Sequence, residues 1–399
     1  MSQDRLILIT NPGSSSRKYA LYLGKELLCN LHFEFEDGII VYTLKKTDGT
    51  EKKIKTEMKS LTSVIAHLEE ILTAEGYLGG MNKIDVILAR VVAPGEYFSH
   101  DHIVDAECLK QLEIAKERAP LHVPVVANEI EHFISSFKGT PVVILSDSEY
   151  HNSRPALTKA YAIDQELANK YDIKRWGFHG LSVSSVVRYM KSQEILPEKL
   201  IVCHIGSGAS VTAVYQGKSH DTTMGYTPLD GLMMATRAGH MDVAAALALK
   251  RALNYQSDES LEKYLNKESG LLGVSGQSDD MRDIIRLRDE GDPKGTFAHA
   301  LFIYRIQAAI GEMAASLGGV DAIVFTATIG ERSDDVRRMV TQKLAYLGFA
   351  LDEQKNIAEL TERHANIAAD GSKPVYIVKT DETAEMIEQA SALLDESNE

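Results

Sequence analysis

Six stretches of the chain set charge-bearing side chains at the ends of apolar runs or in tight turns. ILARVVAPGE places Arg90 at the close of a strand-like run, and VVILSDSEYH ends another at Asp147. KRWGFHG holds His179 between Phe178 and Gly180, APLHVP sets His122 between prolines, DTTMGYTPLDGLMMATRAG carries Arg237, and VYIVKTDE closes on Asp381 and Glu382. Guanidinium groups suit both carboxylate and phosphate through paired hydrogen bonds, which Lys does less well. Taken one at a time these residues have plainer readings. A strand-end Arg or Asp is often a salt-bridge partner, and a lone His beside Phe is often a satisfied core residue.

Two glycine turns add a second kind of chemistry. ILITNPGSSSRKYALYLGK breaks from a buried strand into Gly13 and three serines. Free backbone N–H groups and hydroxyls in such a turn suit a phosphate, and the same residues also suit an ordinary hairpin. The stretch KLIVCHIGSGASVTAVYQGKSHD repeats the pattern. With Gly206 laid on Gly13 and no gap, Ser207 falls on Ser14, Ala213 on Ala20, Tyr215 on Tyr22, Gly217 on Gly24 and Lys218 on Lys25. The two copies lie about half the chain apart, the spacing of a duplicated domain. Two facing glycine turns would hold one polyphosphate between them.

The elements that must position these residues read as mixed α/β. KIDVILARVV, TPVVILSD, DAIVFTA and KPVYIVK are Val- and Ile-rich runs of the kind buried strands show. Leu61, Val64, Ile65, Leu68, Ile71 and Leu72 recur at helical spacing, as do Met386, Ile387, Ala390, Leu393 and Leu394. TLKKTDGTEKKIK, with Asp48-Gly49 at its centre, predicts an exposed hairpin.

Composition bounds the function. With 399 residues, 44% hydrophobic and 25% charged, the chain has material for two domains with substantial cores. A formal net charge of −14 argues against a broad nucleic-acid or anionic-membrane surface. Cys29, Cys108 and Cys203 are scattered without a CxxC pair, which suggests neither a disulfide frame nor a zinc site and fits a reducing, cytoplasmic compartment. The apolar run in MSQDRLILIT is too short for a signal peptide, and no run approaches the ~18 residues of a membrane span.

NPGSSSRK, RVV, APLH, GFHG, GASVTAV, DTTMGYTPLDGLMMATR, KESGLLGVSG, IGE and TDE stand in the order found in acetate kinases, and the chain resembles that family over nearly its whole length. The resemblance implies an α/β fold of two duplicated actin-like, ribonuclease H-like domains around a central active-site cleft. The N-terminal domain would span residues 1–150, rejoined by a C-terminal helix at 384–399, and the nucleotide-binding domain 151–383. The implied reaction is reversible transfer of the ATP γ-phosphate to acetate, giving acetyl phosphate and ADP. Arg90, Asp147, His179, Arg237 and His122 match the catalytic residues, the arginines holding carboxylate and moving phosphoryl group. Val92, Leu121, Phe178 and Pro228 match the acyl pocket. Asn11, Ser14, Lys18, His204, Gly206, Ser207 and Gly208 match the phosphate turns, and Asp280, Arg282, Thr328, Ile329, Gly330 and Arg332 the nucleotide site. Asn11 and Glu382 match the metal site, with Mg²⁺ the expected ion and Mn²⁺ a substitute. No nucleic-acid or membrane partner is implied; a homodimer is.

The chain departs from the family at Ala89, Ala93, Pro94, Leu181, Val183, Ser207, His240, Thr328 and Arg332. Thr328 stands where a Gly is usual, and a β-branched residue is poor both at positive φ and at close approach to a ligand. Weakened nucleotide binding is the expectation there. Two alternatives follow: the same chemistry with pyrophosphate as donor or propionate as main acceptor, and a catalytically weak nucleotide-binding paralogue. Joint retention of Arg90, Asp147, His179, Arg237 and Glu382 speaks against the last.

Overall fold

The computed structural model describes residues 5–12, 16–36, 38–80, 83–118 and 123–396. They form two compact units, one of residues 1–149 with 382–399 and the other of residues 150–381.

The first unit is built on a sheet of β1 (Leu6–Pro12), β2 (Ser16–Leu23), β3 (Glu26–Glu36), β4 (Ile39–Lys46), β5 (Glu51–Lys55), β6 (Val86–Val91), β7 (His102–Ile103) and β8 (Val142–Ser146). Their order is β5-β4-β3-β2-β1-β6-β8-β7. The Asp48-Gly49 turn joins β4 to the fully exposed β5. β1, β6 and β8 run parallel, and all five residues of β8 are buried, as expected of a strand covered on both faces. Helix Val123–Ser136 packs on β1, β6 and β8, and helix Glu382–Glu396 on β6 and β8. Leu61, Val64, Ile65, Leu68, Ile71 and Leu72 all turn inward, joining Phe33 and Phe133 in one core. Each such side chain contributes roughly 1.5–3 kcal/mol by leaving water.

The second unit carries β9 (Lys199–Ile205), β10 (Ala209–Tyr215), β11 (Lys218–Thr222), β12 (Ala322–Thr326), β13 (His364–Asn366) and β14 (Val375–Val378), in the order β11-β10-β9-β12-β14-β13. Three antiparallel strands followed by two parallel ones repeat the β3-β2-β1-β6-β8 arrangement. Each sheet also ends in a short antiparallel strand, β7 on β8 and β13 on β14. Helix Pro293–Ser316, capped by Asp292 with Pro at its first position, packs against β9, β10 and β11.

The duplication is real, but the ungapped alignment holds only through the first strand. β1 and β9 correspond residue for residue. Four residues then separate the paired Pro12 and Arg17, whereas three separate Ile205 and Ala209. Ile9 therefore faces Ala20, while its counterpart Val202 faces Thr212. A one-residue slip exchanges the two faces of a strand. The coincidences of Ala213 with Ala20, Tyr215 with Tyr22, Gly217 with Gly24 and Lys218 with Lys25 thus fall on non-equivalent positions. Topology carries the repeat.

Among the described residues no helix is long and apolar enough to cross a membrane. The three cysteines are free and buried.

Candidate active site

In the first unit, parallel pairing sets Arg90 and Asp147 side by side. Arg90 pairs with Leu145 in register, and Asp147 follows directly after β8, its N–H donating to the Val91 carbonyl at 3.0 Å. Arg90 Nη2 donates to Asp147 Oδ2 at 3.0 Å, and Nη1 to Glu382 Oε2 at 3.0 Å. Burial opposes the guanidinium charge, but Asp147 and Glu382 outweigh it and hold Arg90 above its ordinary pKa. Glu382 is the first residue of its helix, where the macrodipole favours an anion. Asn11 and Lys18 pair across β1 and β2 at the strand ends, both exposed. Val92, half-buried, follows β6. Ser14, Leu121 and His122 lie outside the described residues.

The second unit gathers its candidates at the Gly206–Gly208 turn. His179 adopts a left-handed φ of 62° as the cap of helix Gly180–Ser192. Its ring stacks on His204 with centroids 4.0 Å apart and an interplanar angle of 26°. His179 Nδ1 lies 3.0 Å from Ser210 Oγ, and His204 Nδ1 2.7 Å from Ser182 Oγ. Ser210 and His204 are themselves partners across β10 and β9. A side chain at Gly208 would put its Cβ 3.0 Å from His179 Nε2 and 3.6 Å from Arg237 Nη1. Glycine is what lets the imidazole and guanidinium meet at this turn. Arg237 Nη1 also donates to the Pro228 carbonyl at 3.2 Å and lies 3.4 Å from Met234 Sδ. The Arg237 loop is held from behind by Gly270, where a Cβ would come within 2.2 Å of the Met234 carbonyl oxygen. Phe178 is fully buried and Pro228 also enclosed.

Beside the turn lies a cavity of about 610 Å³, lined by Ser207, Asp280, Arg282, Thr328, Ile329 and Arg332 among others. Asp280 caps helix Met281–Asp289 by accepting from the Arg282 N–H. The Arg282 guanidinium folds back on the same carboxylate at 3.0 and 2.5 Å, holding Asp280 below the usual carboxylate range. Gly330 is buried. The expectation for Thr328 needs correction on one point. The left-handed residue is Ala327, φ 64°, and Thr328 is an exposed residue within helix Ala327–Arg332. Thr328 lines the cavity, so its effect on a ligand there is steric.

Ala89, Ala93, Leu181 and Val183 are all enclosed in the interior. His240 is exposed, its Nδ1 3.5 Å from Asp230 Oδ1. Sequence reading missed Ser182, Ser210 and Gly270. The only one-dimensional signals are the position of Ser182 three residues after His179 and that of Ser210 two after Gly208. Among the described residues no three His, Cys, Asp or Glu side chains converge to hold a metal on their own.

Two sheets of the same three-antiparallel, two-parallel topology define the actin-like class of phosphotransferase folds. The Acetokinase family pattern matches residues 6–389, and the chain belongs to that family. An acetate kinase of Clostridium novyi is 35% identical over 407 residues, covering 98% of this chain and 99% of its own. An acetate kinase of Caldicellulosiruptor saccharolyticus is 38% identical over 400 residues, with the same two coverages. Among solved structures, a propionate kinase from Francisella tularensis matches with a TM-score of 0.88 at 32% identity, covering 96% of this chain and 98% of that one.

Proposed function

We propose that the chain catalyses reversible phosphoryl transfer between ATP and acetate. A carboxylate oxygen of acetate attacks the γ-phosphorus, the bond to the bridging oxygen of ADP breaks, and acetyl phosphate forms. No protein nucleophile is required. The transition state is loose and its equatorial oxygens carry charge, so the chain's work is positioning and cation placement. Arg237 and His179 act on the phosphoryl group in flight, the imidazole donating through Nε2. Arg90 binds the acetate carboxylate, and His122 keeps the active-site role that the resemblance implies. The single observation that carries this reading is the convergence of His179 and Arg237 on Gly208, at a turn whose Gly206 lies against Ala327, the residue before the cavity-lining Thr328.

We assign the acyl-selecting role to Val92, Leu121, Phe178 and Pro228. Such discrimination is modest, ~1–3 kcal/mol per methylene, so propionate is a slower acceptor. The likeness to a propionate kinase supports that second substrate. For the donor, the cavity favours a nucleotide over pyrophosphate. Its walls include Ile285, Ile329 and Ala235 and more carboxylates than guanidinium groups, which suits a base and ribose better than a bare polyanion.

Asn11, Asp147 and Glu382 offer only hard oxygen donors, which fit Mg²⁺, with Mn²⁺ as substitute. When bound with the nucleotide, the ion neutralises phosphate charge. The carboxylates' own work is to orient Arg90.

Helix Val243–Ala252 buries none of its residues, although Val243, Ala244, Ala245, Ala246, Leu247 and Leu249 make it strongly apolar. Val243 is 75% exposed. This face supports a homodimer, to be checked by light scattering of wild type and Leu247→Glu. A nucleotide donor fits a cytoplasmic enzyme. Acetyl-hydroxamate formation measured with ATP and then with pyrophosphate tests the assignment; no product with ATP at any acetate concentration overturns it.

A further inference from the structure

Ala327 opens the helix that walls the donor cavity, and its φ of 64° lies in a region that any residue with a Cβ disfavours. Something must hold it there. Glu331 Oε1 accepts the Ala327 N–H at 3.0 Å and, with the same oxygen, the Thr380 N–H at 3.2 Å. Glu331 is in turn fixed through its own backbone. Arg337, 3% exposed, donates Nη1 to the carbonyls of Gly330 and Glu331 at 2.9 Å each, while its Nε and Nη2 are anchored on Asn356. The cavity helix is therefore clamped at its start by a carboxylate and near its end by a buried guanidinium.

Ala327 also touches the phosphate turn. A Cβ built on Gly206 would lie 3.5 Å from the Ala327 Cβ, so the backbone path at Ala327 sets the spacing between that turn and the cavity wall. Thr328 and Ile329, the next two residues, line the cavity. We infer that Glu331 is a positioning residue for the phosphoryl donor: by accepting two N–H groups it keeps Ala327 left-handed, and thereby fixes Thr328, Ile329 and the Gly206 turn at the spacing the nucleotide requires. This inference rests on the donor site proposed above.

The test is ADP affinity by calorimetry together with steady-state rates. Glu331→Ala is expected to weaken ADP binding and raise KM for ATP by on the order of tenfold, with KM for acetate within about twofold of wild type. Glu331→Gln, whose amide oxygen accepts the same two N–H groups, should stay near wild type. Glycine takes positive φ without support, so adding Ala327→Gly to Glu331→Ala should recover most of the ADP affinity. If Glu331→Ala is insoluble, Glu331→Asp, too short to reach both N–H groups, carries the same expectation and the same rescue. Unchanged ADP affinity in the folded Ala or Asp variant, a Gln variant as weak as the Ala variant, or no rescue by Ala327→Gly each overturn the inference. Wild-type protein that takes up no ADP would instead overturn the donor site itself.

Discussion

Arg90 and Asp147 stand at the carboxyl ends of adjacent parallel strands and meet at 3.0 Å, the Asp147 side chain only 1% exposed and that of Arg90 15%. Glu382 closes on the other side of the guanidinium. An arginine so placed is both oriented and hard to remove. Its two carboxylates fix the direction of the fork, and its charge is what allows Asp147 to be buried.

The two arginines should therefore fail differently. Arg90→Ala and Arg237→Ala are each expected to lower kcat by ~10²–10³, the cost of one lost transition-state contact. Arg90→Ala also breaks the buried ion pair with Asp147, which should lower the melting temperature. Arg237 donates to the Pro228 carbonyl and lies 3.4 Å from the Met234 sulfur, neither an anion, so losing those two contacts costs less than losing the Asp147 pair. Paired kinetics and thermal melts check this. Near-normal turnover in either variant removes that arginine from the mechanism.

Glu382 serves two arrangements at once, as partner of Arg90 and as first residue of a helix. Glu382→Gln keeps an oxygen for the guanidinium but removes the charge. The expected result is a higher Mg²⁺ concentration for half-maximal rate with a smaller change in KM for acetate. A lowered melting temperature with unaltered Mg²⁺ dependence would assign the carboxylate to the helix dipole alone.

A third expectation concerns pH. Glu129 is buried in the first unit, receiving Tyr19 Oη at 2.5 Å and Thr10 Oγ1 at 3.2 Å, with Arg17 Nε 3.8 Å away. Burial pushes its carboxyl up to about 7, against the pull of Tyr19, Arg17 and Thr10. Because the folded pKa is raised, the stability tied to it is full below the unfolded value of 4.5 and is lost as pH rises through about 7. The loss is on the order of 3 kcal/mol. Glu129→Gln should flatten the profile between those values, which urea titrations at a series of pH values will read; a wild-type stability that rises across the same window would contradict it.

Much of this was legible in the residues. β6, β8, β12 and β14 announce themselves as Val- and Ile-rich runs, and Arg90 and Asp147 stand at the ends of the first two. What sequence could not supply is what depends on register and on single backbone angles. The slip between the two glycine turns is invisible because small residues occupy both. The stacking of His179 on His204, and the serines that tie each ring, require a helix and a sheet to meet. The left-handed conformation sits on Ala327, one residue from where the glycine rule pointed, because a carboxylate supports it locally.

The last expectation returns to Thr328. Its side chain lines the donor cavity from within a helix, so crowding and not backbone strain is the way it acts on a nucleotide. Thr328→Gly would open the cavity but also loosen the helix by about 1 kcal/mol. Thr328→Ala separates the two effects, removing the hydroxyl and methyl while keeping helical propensity. KM for ATP should fall in the alanine variant, with KM for acetate almost unchanged, and the glycine variant should gain less. Arg332, at the end of the same helix and on the same cavity, is placed to offer a cation to the proposed donor, so Arg332→Asn should raise KM for ATP and GTP alike. Rates with ATP, GTP and pyrophosphate on these variants decide the matter. An ATP KM that does not move in Thr328→Ala would end the role given to that residue, and robust turnover with pyrophosphate but none with ATP would end the nucleotide assignment.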